Sequence, residues 1–150
     1  MRQSVGVVEF EDLRLNTRAQ MVITREPERD LTDIFLDLDI DGKGVLGAGD
    51  CEISLDKDNT KRLLALIRQI SSIRFKQNHS WQEVGEADFC GSDHSRSGED
   101  SGAVLVESNG SEVRMTFRTR TETWTPYVAT FNTESLGKLS ALLSRALQQS

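Results

Sequence analysis

Two histidines, His79 and His94, and two cysteines, Cys51 and Cys90, are all that this 150-residue chain supplies of the side chains most used for metal binding and nucleophilic catalysis. A tetrahedral zinc site needs four ligands, and structural sites are usually two close pairs. Only one close pair exists, Cys90-x3-His94, and Cys51 and His79 would have to join it from afar. Cys90, Asp93 and His94 share one polar stretch, and neighbours in such a stretch rarely hold the nucleophile–base geometry of acyl transfer. There is no Gly-x-Ser-x-Gly elbow and no phosphate-cradling glycine loop. With so few histidines, acid–base work would fall to carboxylates that read as surface residues. No catalytic residue, metal or cofactor is therefore expected, and a small hydrolase or metal enzyme ranks third among the functions considered.

Long apolar runs are also missing. No stretch approaches the roughly 20 apolar residues of a membrane span. The segment from Met1 to Val8 carries no apolar core of signal-peptide length before Glu9 and Glu11. The expectation is a cytoplasmic protein, without a membrane partner, whose Cys51 and Cys90 are free thiols. Positive charge is in deficit: 18 Lys and Arg face 24 Asp and Glu, for a net charge of −6 and a pI near 5.0. That sign opposes phosphate backbones and favours cationic partners. Aromatics make up only 6 % of the residues, which leaves few rings for stacking bases.

What is present is a periodic pattern sufficient for one small domain with a core. Val5, Val7, Val8 and Phe10 open a strand. The odd positions Leu13, Leu15, Thr17, Ala19, Met21 and Ile23 predict one long strand, or a hairpin bent near Asn16-Thr17. Pro27, in a charged run, stops it. Ile34, Leu36, Leu38 and Ile40 alternate with Phe35, Asp37, Asp39 and Asp41, a half-buried strand with an acidic outer face. Asp41-Gly42 is a turn signal, and Val45 to Leu55 reads as the returning strand. Asp56 or Asp58 is placed to cap a helix carrying Leu63, Leu64, Leu66, Ile67 and Ile70 on one face, ended by Ser71-Ser72.

After the ambiguous segment Trp81 to Phe89 and a polar loop over 91–102, strands are expected at Val104, across the Asn109-Gly110 hairpin signal, and from Val113 toward Trp124. Pro126 marks an edge, Tyr127 to Phe131 forms a last strand, and Thr133 is placed to cap a helix with the stripe Leu136, Leu139, Leu142, Leu143, Ala146 and Leu147.

The two halves end alike. Glu52 to Ile67 superimposes without a gap on Val128 to Leu143, so that Leu55 falls on Phe131, Leu63 on Leu139 and Leu66 on Leu142. The fold class expected is α+β, a single domain of two strands-then-helix repeats over about 1–75 and 76–150, with both helices packed on one face of an antiparallel sheet.

Two surfaces stand out as binding candidates. Asp37, Asp39 and Asp41, with Asp30 and Asp33 before them, form an acidic strip suited to a basic partner. Asp37-Leu38-Asp39-Ile40-Asp41-Gly42 also matches the front of an EF-hand loop, but Ala48 stands where the closing bidentate Glu belongs, so calcium is not expected. Arg114, Thr116, Arg118, Arg120 and Trp124 share one parity of a strand, a cationic face with an aromatic that suits a protein interface or single-stranded nucleic acid.

The doubled plan, clearest in Ile53-Ser54-Leu55 running into helix 58–70 and in Thr130-Phe131 running into helix 134–148, resembles Pur-type repeats. That resemblance implies single-stranded nucleic-acid binding across the sheet. The last third, with Trp81-x3-Gly85, a hairpin, Thr123-Trp124-Thr125 and a Leu-rich closing helix, looks like small acidic bacterial immunity-type and uncharacterised domains. That resemblance implies a stoichiometric inhibitor of a protein, such as a basic toxin or enzyme. A non-catalytic interaction protein is thus the leading expectation, with Asp37, Asp39, Asp41, Arg114, Arg118, Arg120 and Trp124 as its contact residues, and Pur-like nucleic-acid binding the alternative.

Overall fold

The structure, a computed structural model, describes residues 3–12, 17–37, 51–70, 80–90, 101–119 and 127–148. Four strands and a helix, β1 (Gln3–Asp12), β2 (Thr17–Glu26), β3 (Leu31–Asp37), β4 (Cys51–Asp56) and α1 (Lys57–Gln69), are followed by the same series again. The second series is β5 (Gln82–Phe89), β6 (Gly102–Ser108), β7 (Val113–Thr119), β8 (Tyr127–Phe131) and α2 (Thr133–Gln148). Each half is a four-stranded antiparallel meander with its helix, as the repeated pattern predicts. The ambiguous segment resolves as β5, and β3 starts at Leu31, earlier than the alternation from Ile34 implies.

The meanders join into one sheet in the order β4-β3-β2-β1-β8-β7-β6-β5. β1 meets β8 through the pair Glu11–Thr130. The two outer ends also meet: Ser54 of β4 and Cys90, just past β5, exchange both backbone hydrogen bonds at 2.9 and 2.8 Å. Each half therefore begins with a strand that touches the last strand of the other half, at equivalent positions.

The helices carry the exchange further. α1 packs on β5 and β4, α2 packs on β1 and β2, and the helices touch one another. A Cβ placed on Gly6 of β1 would sit 2.4 Å from Leu142 Cδ2, and one placed on Gly85 of β5 would sit 2.6 Å from Leu66 Cδ2. Leu66 and Leu142 are the residues that the sequence alignment of the halves pairs. Each glycine follows a register shift, between Ser4 and Gly6 in β1 and between Glu83 and Gly85 in β5, that brings its strand close to the opposite helix.

One core results. Val8, Phe10, Met21, Ile23, Ile34, Leu36, Ile53 and Leu55 from the first half meet Ala87, Phe89, Val104, Val106, Met115, Phe117, Ala129 and Phe131 from the second, all buried. Leu63, Leu64, Leu66 and Ile67 of α1 and Leu139, Leu142, Leu143 and Ala146 of α2 close it. Each large side chain so buried contributes about 1.5–3 kcal/mol before entropy is counted. Phe10 and Phe131 meet across the β1–β8 junction with ring centroids 5.6 Å apart.

Both helices start from the same device. Asp56 Oδ1 accepts the Asn59 N–H at 2.8 Å, and Asn132 Oδ1 accepts the Ser135 N–H at 2.8 Å. The second cap is thus Asn132 rather than Thr133, which lies inside the first turn. Ser135 Oγ returns the bond by accepting from the Asn132 N–H at 3.0 Å, a reciprocal box that Thr133 could not make from its position. Asn109-Gly110 does form a hairpin, through a four-residue connection in which Asn109 Oδ1 accepts from the N–H groups of Ser111 and Glu112.

Candidate functional site

One face of each meander packs on the core, and register fixes what the other face presents. In the first half one row crosses all four strands: Val7 pairs with Val22, Val22 with Phe35, and Phe35 with Glu52. Val22 and Phe35 are half-buried, Glu52 is exposed, and Val7 is 51 % exposed, the one large exposed hydrophobic among the described residues. A second row runs Glu9–Gln20–Asp37 and a third Ser4–Thr24–Asp33–Ser54. The face is thus an apolar row with Glu9 and Glu52 at its borders.

In the second half the equivalent rows are Glu86–Leu105–Thr116–Val128, Asp88–Ala103–Arg118 and Glu83–Glu107–Arg114–Thr130. Asp33 and Asp37 of β3 therefore occupy the positions that Arg114 and Arg118 occupy in β7. The acidic strand and the arginine strand singled out in the sequence are the same strand of two repeats, carrying opposite charge.

The arginine face is not the cationic strip that parity within β7 alone implies. Arg114 gives both Nε and Nη2 to Glu107 Oε1 at 3.1 Å, and its guanidinium lies over the Trp81 ring at 4.2 Å from the centroid. Glu83, Glu86 and Glu107 share the face, because β5 and β6 bring them there. Arg118 is exposed. Trp81 was invisible as the arginine's partner, since the pairing of β5 to β6 and β7 had first to be known. Arg120 and Trp124 lie outside the described residues.

The acidic run also divides. Asp30 ends the β2–β3 turn with φ 56° and pairs with Arg25, whose side chain is fully buried and also donates to Thr32 Oγ1 at 3.3 Å. Asp33 is buried and accepts from Ser54 Oγ at 2.5 Å. Both carboxylates hold the fold together. Asp37 pairs with Gln20 at the end of β3, and its side chain, like Asp39 and Asp41 with the turn and EF-hand-like segment that follow, lies outside the described residues.

A cleft of about 390 Å³ opens at the junction of the halves, between β1, β8 and the first turns of α2, with Val7, Glu9, Glu112, Glu134, Ser135 and Lys138 on its walls. The equivalent junction between β5, β4 and α1 is bridged by side chains. Asn59 Oδ1 accepts the Asp88 N–H at 3.0 Å, and Arg62 Nε donates to the Glu86 carbonyl at 3.3 Å.

Cys90 is a buried free thiol, its backbone engaged with Ser54; His79, His94 and the Cys51 side chain lie outside the described residues. Among the described residues no group of three or more His, Cys, Asp and Glu is arranged to hold a metal ion. Among them, too, no helix is long and apolar enough to cross a membrane. Comparison with known protein families, with curated proteins and with solved structures finds no match to this chain.

Proposed function

We propose that this chain is a non-catalytic binding protein of the immunity or inhibitor kind, which engages a cationic protein partner through the outer face of the β1–β4 meander. The observation that carries the reading is the aligned row Val7–Val22–Phe35, partly open to solvent and bordered by Glu9 and Glu52. An apolar centre with a charged rim is the ordinary anatomy of a protein interface, and acidic borders select a basic partner and speed its encounter. Asp39 and Asp41 extend that border on sequence grounds.

The test begins with the full chain used to capture proteins from its host, followed by titration of the purified captured protein by calorimetry. Saturable one-to-one binding, weakened at least about tenfold by Phe35→Ala and by the pair Glu9→Lys and Glu52→Lys, supports the reading. Recovery of the chain alone, or binding indifferent to these substitutions, contradicts it.

Single-stranded nucleic acid is the second reading. The doubled four-strands-and-helix plan and the exposed Arg118 favour it. The carboxylates of Glu83, Glu86 and Glu107 on the same face weigh against it. Titration of single-stranded DNA at low salt, followed by tryptophan fluorescence, separates the two: the protein-binding reading expects no change at micromolar concentrations.

A further inference from the structure

The two junctions between the halves are built on one plan and finished differently. Aligned by the repeat, Asn59 corresponds to Ser135, Arg62 to Lys138, Asp88 to Glu9 and Glu86 to Val7. At the β5–α1 junction the long side chains of Asn59 and Arg62 reach back to the strand and satisfy its backbone at Asp88 and Glu86. Arg62 Nη2 also lies 3.3 Å from where a Gly85 Cβ would be. At the β1–α2 junction neither equivalent side chain makes that reach, and α2 bonds the strand backbone farther along instead, where Arg145 Nη1 donates to the Val5 carbonyl at 3.3 Å. Ser135 is shorter and turns to Asn132, while Lys138 leans toward Glu134 at 3.8 Å and is 64 % exposed. The three atoms nearest the Gly6 position all belong to Leu142. The 390 Å³ cleft is the space that a guanidinium and an amide bridge in the other half.

We propose that this cleft receives the side chain of an arginine presented by a protein partner. The molecule supplies its own template, because Arg62 shows how a guanidinium sits over this junction and donates to a strand carbonyl. The walls supply the charge: Glu9, Glu112 and Glu134 face the cleft, with Lys138 the one cation among its lining residues. A planar guanidinium can donate to a carboxylate and to a backbone carbonyl at once, which an ammonium does less well. The N–H groups at the start of α2 do not oppose it, since Asn132 and Ser135 already cap each other and Glu134 stands in the first turn. Val7 and Glu9 belong to both the cleft and the outer face of β1, so a partner lying on that face brings an arginine within reach.

The inference rests on the reading of a cationic protein partner, and the two can fail separately. The full chain, labelled with 15N, is titrated with the blocked peptide acetyl-Gly-Arg-Gly-amide and with its lysine and citrulline counterparts. Saturable shifts are expected at the amides of Val7, Glu9 and Lys138, with a dissociation constant on the order of 1 mM for the arginine peptide. Lysine should bind roughly threefold or more weaker, and neutral citrulline weaker still. The double substitution Ser135→Asn with Lys138→Arg, which rebuilds the closed junction, should abolish the shifts while the remaining spectrum stays native. Glu112→Gln should weaken them, and Phe35→Ala should leave them unchanged. Absence of saturation, an equal response to citrulline, or an undiminished response in the double variant overturns the proposal. If the peptide fails while the captured protein still binds in a Phe35-dependent way, the sheet-face reading stands and the cleft alone is refuted.

Discussion

Arg25 shows how a charged residue can be structural rather than functional. Its side chain is fully buried at the end of the inner face of β2, and its charge is answered by Asp30, half exposed in the turn that follows. Removing the carboxylate leaves a buried cation without its counter-charge, which costs more than removing the cation itself. Asp30→Asn, which keeps a residue tolerant of φ 56°, is expected to lower stability by about 1–3 kcal/mol in urea unfolding. Arg25→Met should cost less. The reverse order would contradict this role. Charge alone places Asp30 and Asp33 on a solvent-facing strip; Asp30 is instead held across its turn by the buried Arg25 five residues before it, and Asp33 is buried against Ser54, distant in sequence on the neighbouring strand. Arg114 was legible as an outward residue, but not as one already held by Glu107 and Trp81.

At the scale of elements, local rules carry far. Both helices were legible from the spacing of their leucines and the first from the Asp that precedes it, whereas the second cap, expected at Thr133, is Asn132, the residue that the repeat aligns with Asp56. Asp56→Ala and Asn132→Ala should each cost about 1 kcal/mol. The glycines separate positions that composition cannot. A Cβ on Gly102 would fall 1.9 Å from the Arg118 carbonyl oxygen, so Gly102→Ala must displace the backbone of β6 against β7. The atoms nearest a Cβ on Gly6 are the tip of Leu142, one on Gly85 meets the tip of Leu66 and Arg62 Nη2 on a backbone whose φ of 158° side chains rarely adopt, and one on Gly137 in α2 meets nothing within 4 Å. Thermal or urea unfolding should therefore place Gly102→Ala at or beyond the top of the roughly 1–3 kcal/mol range of overpacked sites, with Gly6→Ala within it and Gly85→Ala costlier than Gly6→Ala because backbone strain adds to the contact. Gly137→Ala should stabilise by about 1 kcal/mol. Strand parity was readable within β3 and β7, but which strands become neighbours was not, and that pairing decides whether a face is charged, neutralised or apolar.

For the whole molecule, the sequence repeat foretold two similar halves but not their exchange. Each helix packs on the first strand of the opposite half, and each half ends on a strand bonded to the other. A core shared in this way predicts a single cooperative unfolding transition, seen alike by circular dichroism and tryptophan fluorescence. Two separated transitions would mean that the halves stand independently. The doubled plan presents two equivalent sheet faces and two equivalent junctions whose residues differ. The β1–β4 face keeps an apolar row with acidic borders, and the β1–α2 junction is left open at Ser135 and Lys138, where its twin is bridged by Asn59 and Arg62, while Arg145 holds it at Val5. Hydrogen–deuterium exchange on the complex with the captured partner tests this account most directly. Protection gained at Val7, Val22, Phe35 and Glu52, with β7, α1 and the last turns of α2 unchanged, is the result expected. Protection concentrated on β7 around Arg118, or on α1 and the last turns of α2, would contradict it.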